Sequence, residues 1–205
     1  RWPCCSACGG AAGPVRRHGR RAGLVAAVLL VLLAAGGIAL ARSGPSLRAG
    51  GPTSVTGTEA TGVFGIAGRT VRQVRYADGG TLRYTFELTN DDRLPVTVHG
   101  LSDDQPPSRL FTSVGLTGPG GDTTLRLSPG ESVPVTLSLL MGGCETLSAR
   151  AGAFVTEVAL RVERAGMLTG LPANTVTVTL PEELHTGSPR EAFCPNSTAT
   201  SRPPG

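Results

Sequence analysis

A period of two constrains this chain more than any other feature. Over Thr81–Thr89, Leu82, Tyr84, Phe86 and Leu88 alternate with Thr81, Arg83, Thr85, Glu87 and Thr89. That is the pattern of a strand with one buried and one wetted face. The alternation returns in Leu94–Val98, Val133–Leu139, Val158–Val162 and Val176–Leu180, and in weaker form in Val63–Ile66, Thr70–Tyr76, Leu110–Leu116 and Thr123–Leu127. Turn-forming runs lie between these segments: Asp78-Gly79-Gly80, Asn90-Asp91-Asp92, Asp103-Asp104 with Pro106-Pro107, Gly118-Pro119-Gly120-Gly121 and Ser128-Pro129-Gly130. No apolar period of 3.6 separates the strands, so no amphipathic helix is available for the crossovers of a parallel α/β sheet. Seven to nine short strands over about 130 residues predict an all-β, antiparallel sandwich of immunoglobulin type across residues 61–195.

The second constraint is Leu24–Ala41, eighteen residues with no charged side chain. As a helix it would reach roughly 27 Å, close to the ~30 Å of a bilayer core. A helix satisfies its own backbone in lipid, so the run predicts one transmembrane helix. Arg16, Arg17, Arg20 and Arg21 precede it and outweigh Arg42 and Arg48 beyond it, which places the N-terminus in the cytoplasm. A second reading stays open. Ala39-Leu40-Ala41 has the small-x-small form of a signal-peptidase site, and cleavage there would release a secreted domain beginning at Arg42. The run exceeds the usual apolar region of a signal peptide, which favours an anchor.

The flanks have too little to bury. Residues 1–23 are rich in Gly, Pro and Arg and are expected to form a disordered basic cytoplasmic tail. Residues 42–60 read as a Gly/Ser/Pro-rich linker, and residues 196–205 as a disordered tail. Charge divides in the same way. Residues 1–48 hold seven arginines and no acid, whereas the rest holds twelve arginines against all fifteen acids. The basic pI therefore belongs to the membrane-proximal end, and the net-negative domain beyond it is no nucleic-acid binder.

Cysteines divide likewise. Cys4, Cys5 and Cys8 contain one Cys-x-x-Cys pair, with His18 ten residues on as the nearest further donor. Structural zinc takes four N/S ligands, usually from two such pairs, so this cluster is a weak metal candidate. Cys144 and Cys194 both follow the apolar run and fall in an oxidising compartment, where they are expected to form a disulfide. Closing a loop of about fifty residues contributes about 4 kcal/mol in the chain-entropy model.

Two stretches carry a resemblance. YTFELTNDDRLPVTVHGL, followed by LRLSPGESVPVTLSL, resembles the strand–Asn turn–Pro-Val strand and Leu-x-Pro-Gly-x-Ser–strand layout of bacterial Ig-like domains. Similar domains occur in membrane-anchored envelope proteins of high-GC Gram-positive bacteria. The resemblance spans Tyr84–Leu140 and implies a fold and a location, with no chemistry attached.

Residues for catalysis are sparse. His99 and His185 are the two histidines beyond the apolar run, and neither accompanies a nucleophile motif such as Gly-x-Ser-x-Gly. Asp91/Asp92 and Asp103/Asp104 lack the Asp-x-Asp-x-Asp-Gly spacing of a calcium loop. Met141 and Met167 are too few for a copper-delivery cluster. The expectation is therefore a non-enzyme without a cofactor. It would be a single-pass membrane protein presenting an extracytoplasmic interaction or structural module to envelope proteins. The alternatives are a membrane-bound sensor or regulator with a cytoplasmic Cys cluster, and the secreted sandwich. Asp103–Arg109, the longest polar loop between strong strands, is the first place to look for binding.

Overall fold

A computed structural model describes residues 25–33, 36, 44–77, 79–108, 110–142, 153–164, 173–186 and 192–193. The chain divides into two units, Arg1–Ser43 and Gly44–Gly205. In the first, residues 25–33 and 36 are α-helical, with exposed side chains. Among the described residues no helix is long and apolar enough to cross a membrane. Leu24, Ala41 and most of the second half of the apolar run lie outside them.

The second unit is all-β, as the alternation predicts. Its strands are β1 (Leu47–Thr56), β2 (Ala60–Ile66), β3 (Arg69–Ala77), β4 (Thr81–Asn90), β5 (Val96–Leu101) and β6 (Phe111–Thr117). They continue with β7 (Leu125–Leu127), β8 (Ser132–Met141), β9 (Phe154–Arg164), β10 (Asn174–His185) and β11 (Ala192–Phe193). Two sheets form. One has the order β1-β4-β8-β6; the other has the order β11-β3-β10-β9-β5-β7, with β2 paired to β3. All nine alternating segments fall on strands. Apart from Val63–Ile66, whose side chains are exposed, their apolar positions meet in one core, where Tyr76, Tyr84, Phe86, Leu137, Leu139 and Leu160 are fully buried. Each such side chain contributes about 1.5–3 kcal/mol by leaving water.

Two expectations need correction. Residues 42–60 are not simply a linker, because they contain β1, which pairs with β4 from Leu47↔Asn90 to Thr56↔Arg83. Leu47, Ala49 and Val55 pack against the core. The register breaks between Gly50 and Ser54, where Gly51 takes φ +70°. This irregularity hides the strand period behind a Gly-Gly-Pro run. Nor is the sandwich wholly antiparallel, since β3 pairs parallel with both β10 and β11. Parallel neighbours need a long connection, and here the strands between β3 and β10 supply it without a helix.

Two buried ion pairs sit where the ladders are irregular. The β9–β10 register shifts between Thr179 and Leu184, and the displaced segment turns Glu182 inward. Arg72 of β3 grips it with Nε on Oε2 at 2.6 Å and Nη2 on Oε1 at 3.0 Å. Thr53, from the irregular part of β1, donates to Glu182 Oε1 at 2.6 Å and accepts from Arg72 Nη2 at 3.1 Å. The side chains of Arg72 and Glu182 are only 12% and 10% exposed. At the β4–β5 turn, Asp92 Oδ2 accepts from Arg164 Nε at 2.6 Å, and Arg164 Nη2 also donates to the Gly44 carbonyl at 2.8 Å. The buried Asn90 amide donates to the Leu94 and Leu127 carbonyls, fastening this turn to β7.

For both carboxylates burial is the largest single influence and pushes the pKa up. For Asp92 the hydrogen bonds and charge of Arg164 outweigh it, and for Glu182 those of Arg72 and Thr53 do, so both fall below the ordinary range. A carboxyl depressed in the folded state adds stability that is full above its unfolded pKa and lost as pH falls through its folded value. Unfolding by urea should therefore need steadily less denaturant as pH falls below about 4. An Asp92→Asn variant should show a shallower dependence there, and identical pH profiles would refute this assignment.

Candidate functional site

The β5–β6 connection crosses from one sheet to the other, and its path is held by one glutamine. Gln105 Nε2 donates to the carbonyls of Ala159 at 2.5 Å and Ser102 at 2.8 Å, while its Oε1 accepts from the Ala159 N–H at 3.3 Å. This bidentate grip on one residue of β9 adds to the backbone bond from the Ser102 N–H to the Ala159 carbonyl at 2.9 Å and satisfies the Ala159 N–H where β5 has ended. Ser102 adds a hydroxyl contact with Thr175 of β10 at 2.9 Å. These contacts pin the loop at its near end.

Between this loop and β6 lies a cleft of about 430 Å³, inside the range of small-ligand and peptide pockets. Its loop wall carries Asp103, Pro106, Pro107 and Ser108; its strand wall carries Phe111, Thr112, Ser113 and Val114. A smaller hollow of about 50 Å³ adjoins it through Pro106, Phe111 and Ser113, and reaches Phe154 and Glu157 of β9. The β6–β8 register shifts between Ser113 and Gly115, so Val114 bulges out and is half exposed. β6 is the last strand of its sheet. The site is thus an edge strand beside a rigid, partly apolar wall.

The residues singled out in the sequence fare differently. Residues 103–108 of the polar loop line or border the cleft, while Arg109 lies outside the described residues. Cys4, Cys5, Cys8, Cys144 and Cys194 also lie outside them, as does Met167. Asp92 is engaged by Arg164, and Asp91 pairs with Arg48 at 2.9 Å on the surface. His99 Nε2 lies 3.2 Å from Glu163 Oε2, and the His185 ring stacks on Phe154 with centroids 4.7 Å apart. Met141 is buried in the core. Among the described residues, no group of three or more His, Cys, Asp or Glu is placed to hold a metal ion.

Gln105 fell inside the Asp103–Arg109 loop without being singled out, and Phe111 and Val114 were missed as site residues. A signal existed for Val114. Phe111 and Leu116 are both buried yet five positions apart, and an odd spacing on one face requires an inserted residue.

No protein-family model matches this chain, and no curated protein does. Among solved structures, the cupredoxin domain of amoB from Nitrosocaldus yellowstonii is similar at a TM-score of 0.25 and 15% identity. That match covers 58% of this chain and 65% of that one. A likeness this slight carries no argument about chemistry or partners.

Replacing Gln105 by Ala removes the acceptor of the Ala159 N–H and one of the two donors to its carbonyl, which keeps the Ser102 N–H at 2.9 Å, a loss of about 1–3 kcal/mol. Amide exchange in residues 102–108 should quicken while the strands of the core keep their protection. Unchanged exchange in that loop would show that the glutamine does not hold it.

Proposed function

We propose that this chain is a membrane-held interaction module of the cell envelope, with the β5–β6 cleft as its binding surface. Leu24–Ala41 acts as the anchor with the N-terminus in the cytoplasm, and the Ig-like sandwich stands on the outer side. The observation that carries the binding half is the pinned cleft, in which a half-exposed edge residue, Val114, faces a wall of Pro106 and Pro107. A rigid wall beside a strand edge suits an extended peptide, whose main chain would pair with the edge while its side chains fill the two adjoining hollows. Asp103 and Glu157 are the charged residues among the described lining, which favours a peptide carrying Arg or Lys. The membrane half rests on the length and apolarity of 24–41 and on the arginines before it.

The disulfide belongs to the same reading. The Met141 N–H donates to the Gly80 carbonyl, and the Gly79 N–H donates to the Met141 carbonyl. Phe193 pairs with Ala77 at the same β3–β4 turn. The chain thus leaves toward Cys144 and toward Cys194 from neighbouring points, which supports a bridge between them.

A photo-crosslinking residue placed at Val114 in the full chain, in intact cells, should give a discrete protein adduct. The same residue at Arg126 on β7 should not. Equal yields from both positions, or none from Val114, would contradict a binding role for the cleft. A membrane-impermeant reagent should label the sandwich in those cells. Labelling only after lysis would overturn the orientation. Cys144→Ser and Cys194→Ser should each lower the thermal midpoint by several degrees, and by similar amounts, since either removes the same bridge. A midpoint unmoved by both substitutions and by reductant would exclude it.

A further inference from the structure

The two sheets leave several strand edges without a partner among the described residues, and four of the five are blunted. β1 is broken by its irregularity at Gly51 and Pro52. β6 carries the bulge at Val114 and faces the β5–β6 loop. β7 has three residues and β11 has two. Short strands, bulges, proline and cover are the ordinary defences against edge-to-edge pairing. β2 has none of these. It pairs with β3 in unbroken register from Ala60↔Arg75 to Ile66↔Arg69, and all seven of its residues are exposed. Val63, Phe64 and Ile66 are 49%, 39% and 50% exposed. No charge falls between Glu59 and Arg69.

The β2–β3 turn shows that this edge is built rather than frayed. Ala67 and Gly68 connect the strands with φ of +49° and +79°, the two positive values of a tight hairpin whose twist matches its strands. A non-glycine residue is held there in the left-handed region, at a local cost. The edge is therefore presented in one register.

We infer that β2 is a self-association edge, and that a second copy of this chain pairs with it antiparallel about a two-fold axis. The side chains of β2 are complementary to themselves in that arrangement. With Phe64 on the axis, Phe64 faces its own copy, Val63 faces Gly65, and Ile66 faces Gly62. Each large group meets a glycine or its counterpart, so opposite side chains fill space without crowding, and the central pair is an aromatic cross-strand contact. The ends do not clash in charge. Antiparallel pairing brings the Glu59 end of one copy toward the Arg69 end of the other, where Arg69 also holds Glu183 of its own chain at 2.9 Å, whereas a parallel pairing would set the two Glu59 ends together. A two-fold contact of this kind closes on itself and stops at the dimer. It is independent of the cleft, which lies on β6 of the other sheet.

The test is sedimentation velocity of the full chain in detergent micelles over a concentration series, with hydrogen exchange of β2 followed in parallel. A concentration-dependent monomer–dimer equilibrium is expected, with slower β2 exchange as dimer forms. Phe64→Lys should weaken dimerisation by about tenfold or more, because it removes the aromatic pair and sets two like charges on the axis. Val114→Lys on β6 should leave the dimer unchanged. Ile66→Lys provides a second, off-axis variant that should weaken it too. A chain that stays monomeric at every concentration overturns the inference. So does a dimer insensitive to both β2 variants, which would be held elsewhere. Slow β2 exchange that is independent of concentration would mean that another segment of the same chain covers the edge, and would also overturn it.

Discussion

The Arg72–Glu182 pair ties together the parts of this sandwich that alternation alone does not hold. Arg72 belongs to β3, Glu182 to the displaced segment of β10, and Thr53 to the irregular part of β1 in the opposite sheet. Two strands that break their ladders, β1 and β10, thus meet the regular β3 at one carboxylate. A buried charge is costly unless paired and hydrogen-bonded, so the partners must stay where they are. The buried Tyr84 hydroxyl lies beside the same group, and burial, followed by the Glu182 charge, holds its pKa above the ordinary tyrosine value. The gain is one of register more than of net energy, since a well-packed apolar trio could be as stable. With Glu182 fixed, Glu183, Leu184 and His185 fall opposite Val71, Arg72 and Gln73 in the parallel ladder.

That ladder has a consequence for the edges. β3 pairs with β10 on its way through the sheet, and β2 pairs with β3 by the hairpin turn. The four-stranded sheet has no strand to set beneath every strand of the seven-stranded one, and every residue of β2 is exposed. The other open edge, β6, is bent by its bulge and shadowed by the Gln105-pinned loop. One sandwich therefore offers two unlike surfaces. One is a bulged edge beside Asp103, Pro106 and Pro107. The other is an exposed edge with no charge between Glu59 and Arg69.

Much of this was legible in the residues. Eight strands announced themselves because one face is apolar and the other polar, which is the signal a two-layer sandwich imposes; β2 showed in the sequence by its apolar residues, although all of them are exposed. β1 did not, because Gly50-Gly51-Pro52 interrupts its pattern and its buried positions are small or half-exposed. The parallel pairing was unreadable for a different reason, since strand order depends on contacts between β3 and β10 that lie more than a hundred residues apart. Polarity and length found the loop at Asp103–Arg109. The atoms that give the loop its shape did not show, because a glutamine that grips a backbone looks like any exposed glutamine in sequence. Asn90-Asp91-Asp92 read as a turn and is one, but its role in holding Arg164 depends on tertiary contacts.

The most direct test of the central claim is a double-mutant cycle at Arg72 and Glu182, measured by chemical denaturation. Arg72→Leu and Glu182→Leu alone should each cost about 3–5 kcal/mol, and the double variant should cost much less than their sum. A large coupling energy would establish that the pair acts as one unit that fixes β3 against β10. Costs that add to within about 0.5 kcal/mol would contradict it, and the register of the parallel ladder would need another cause.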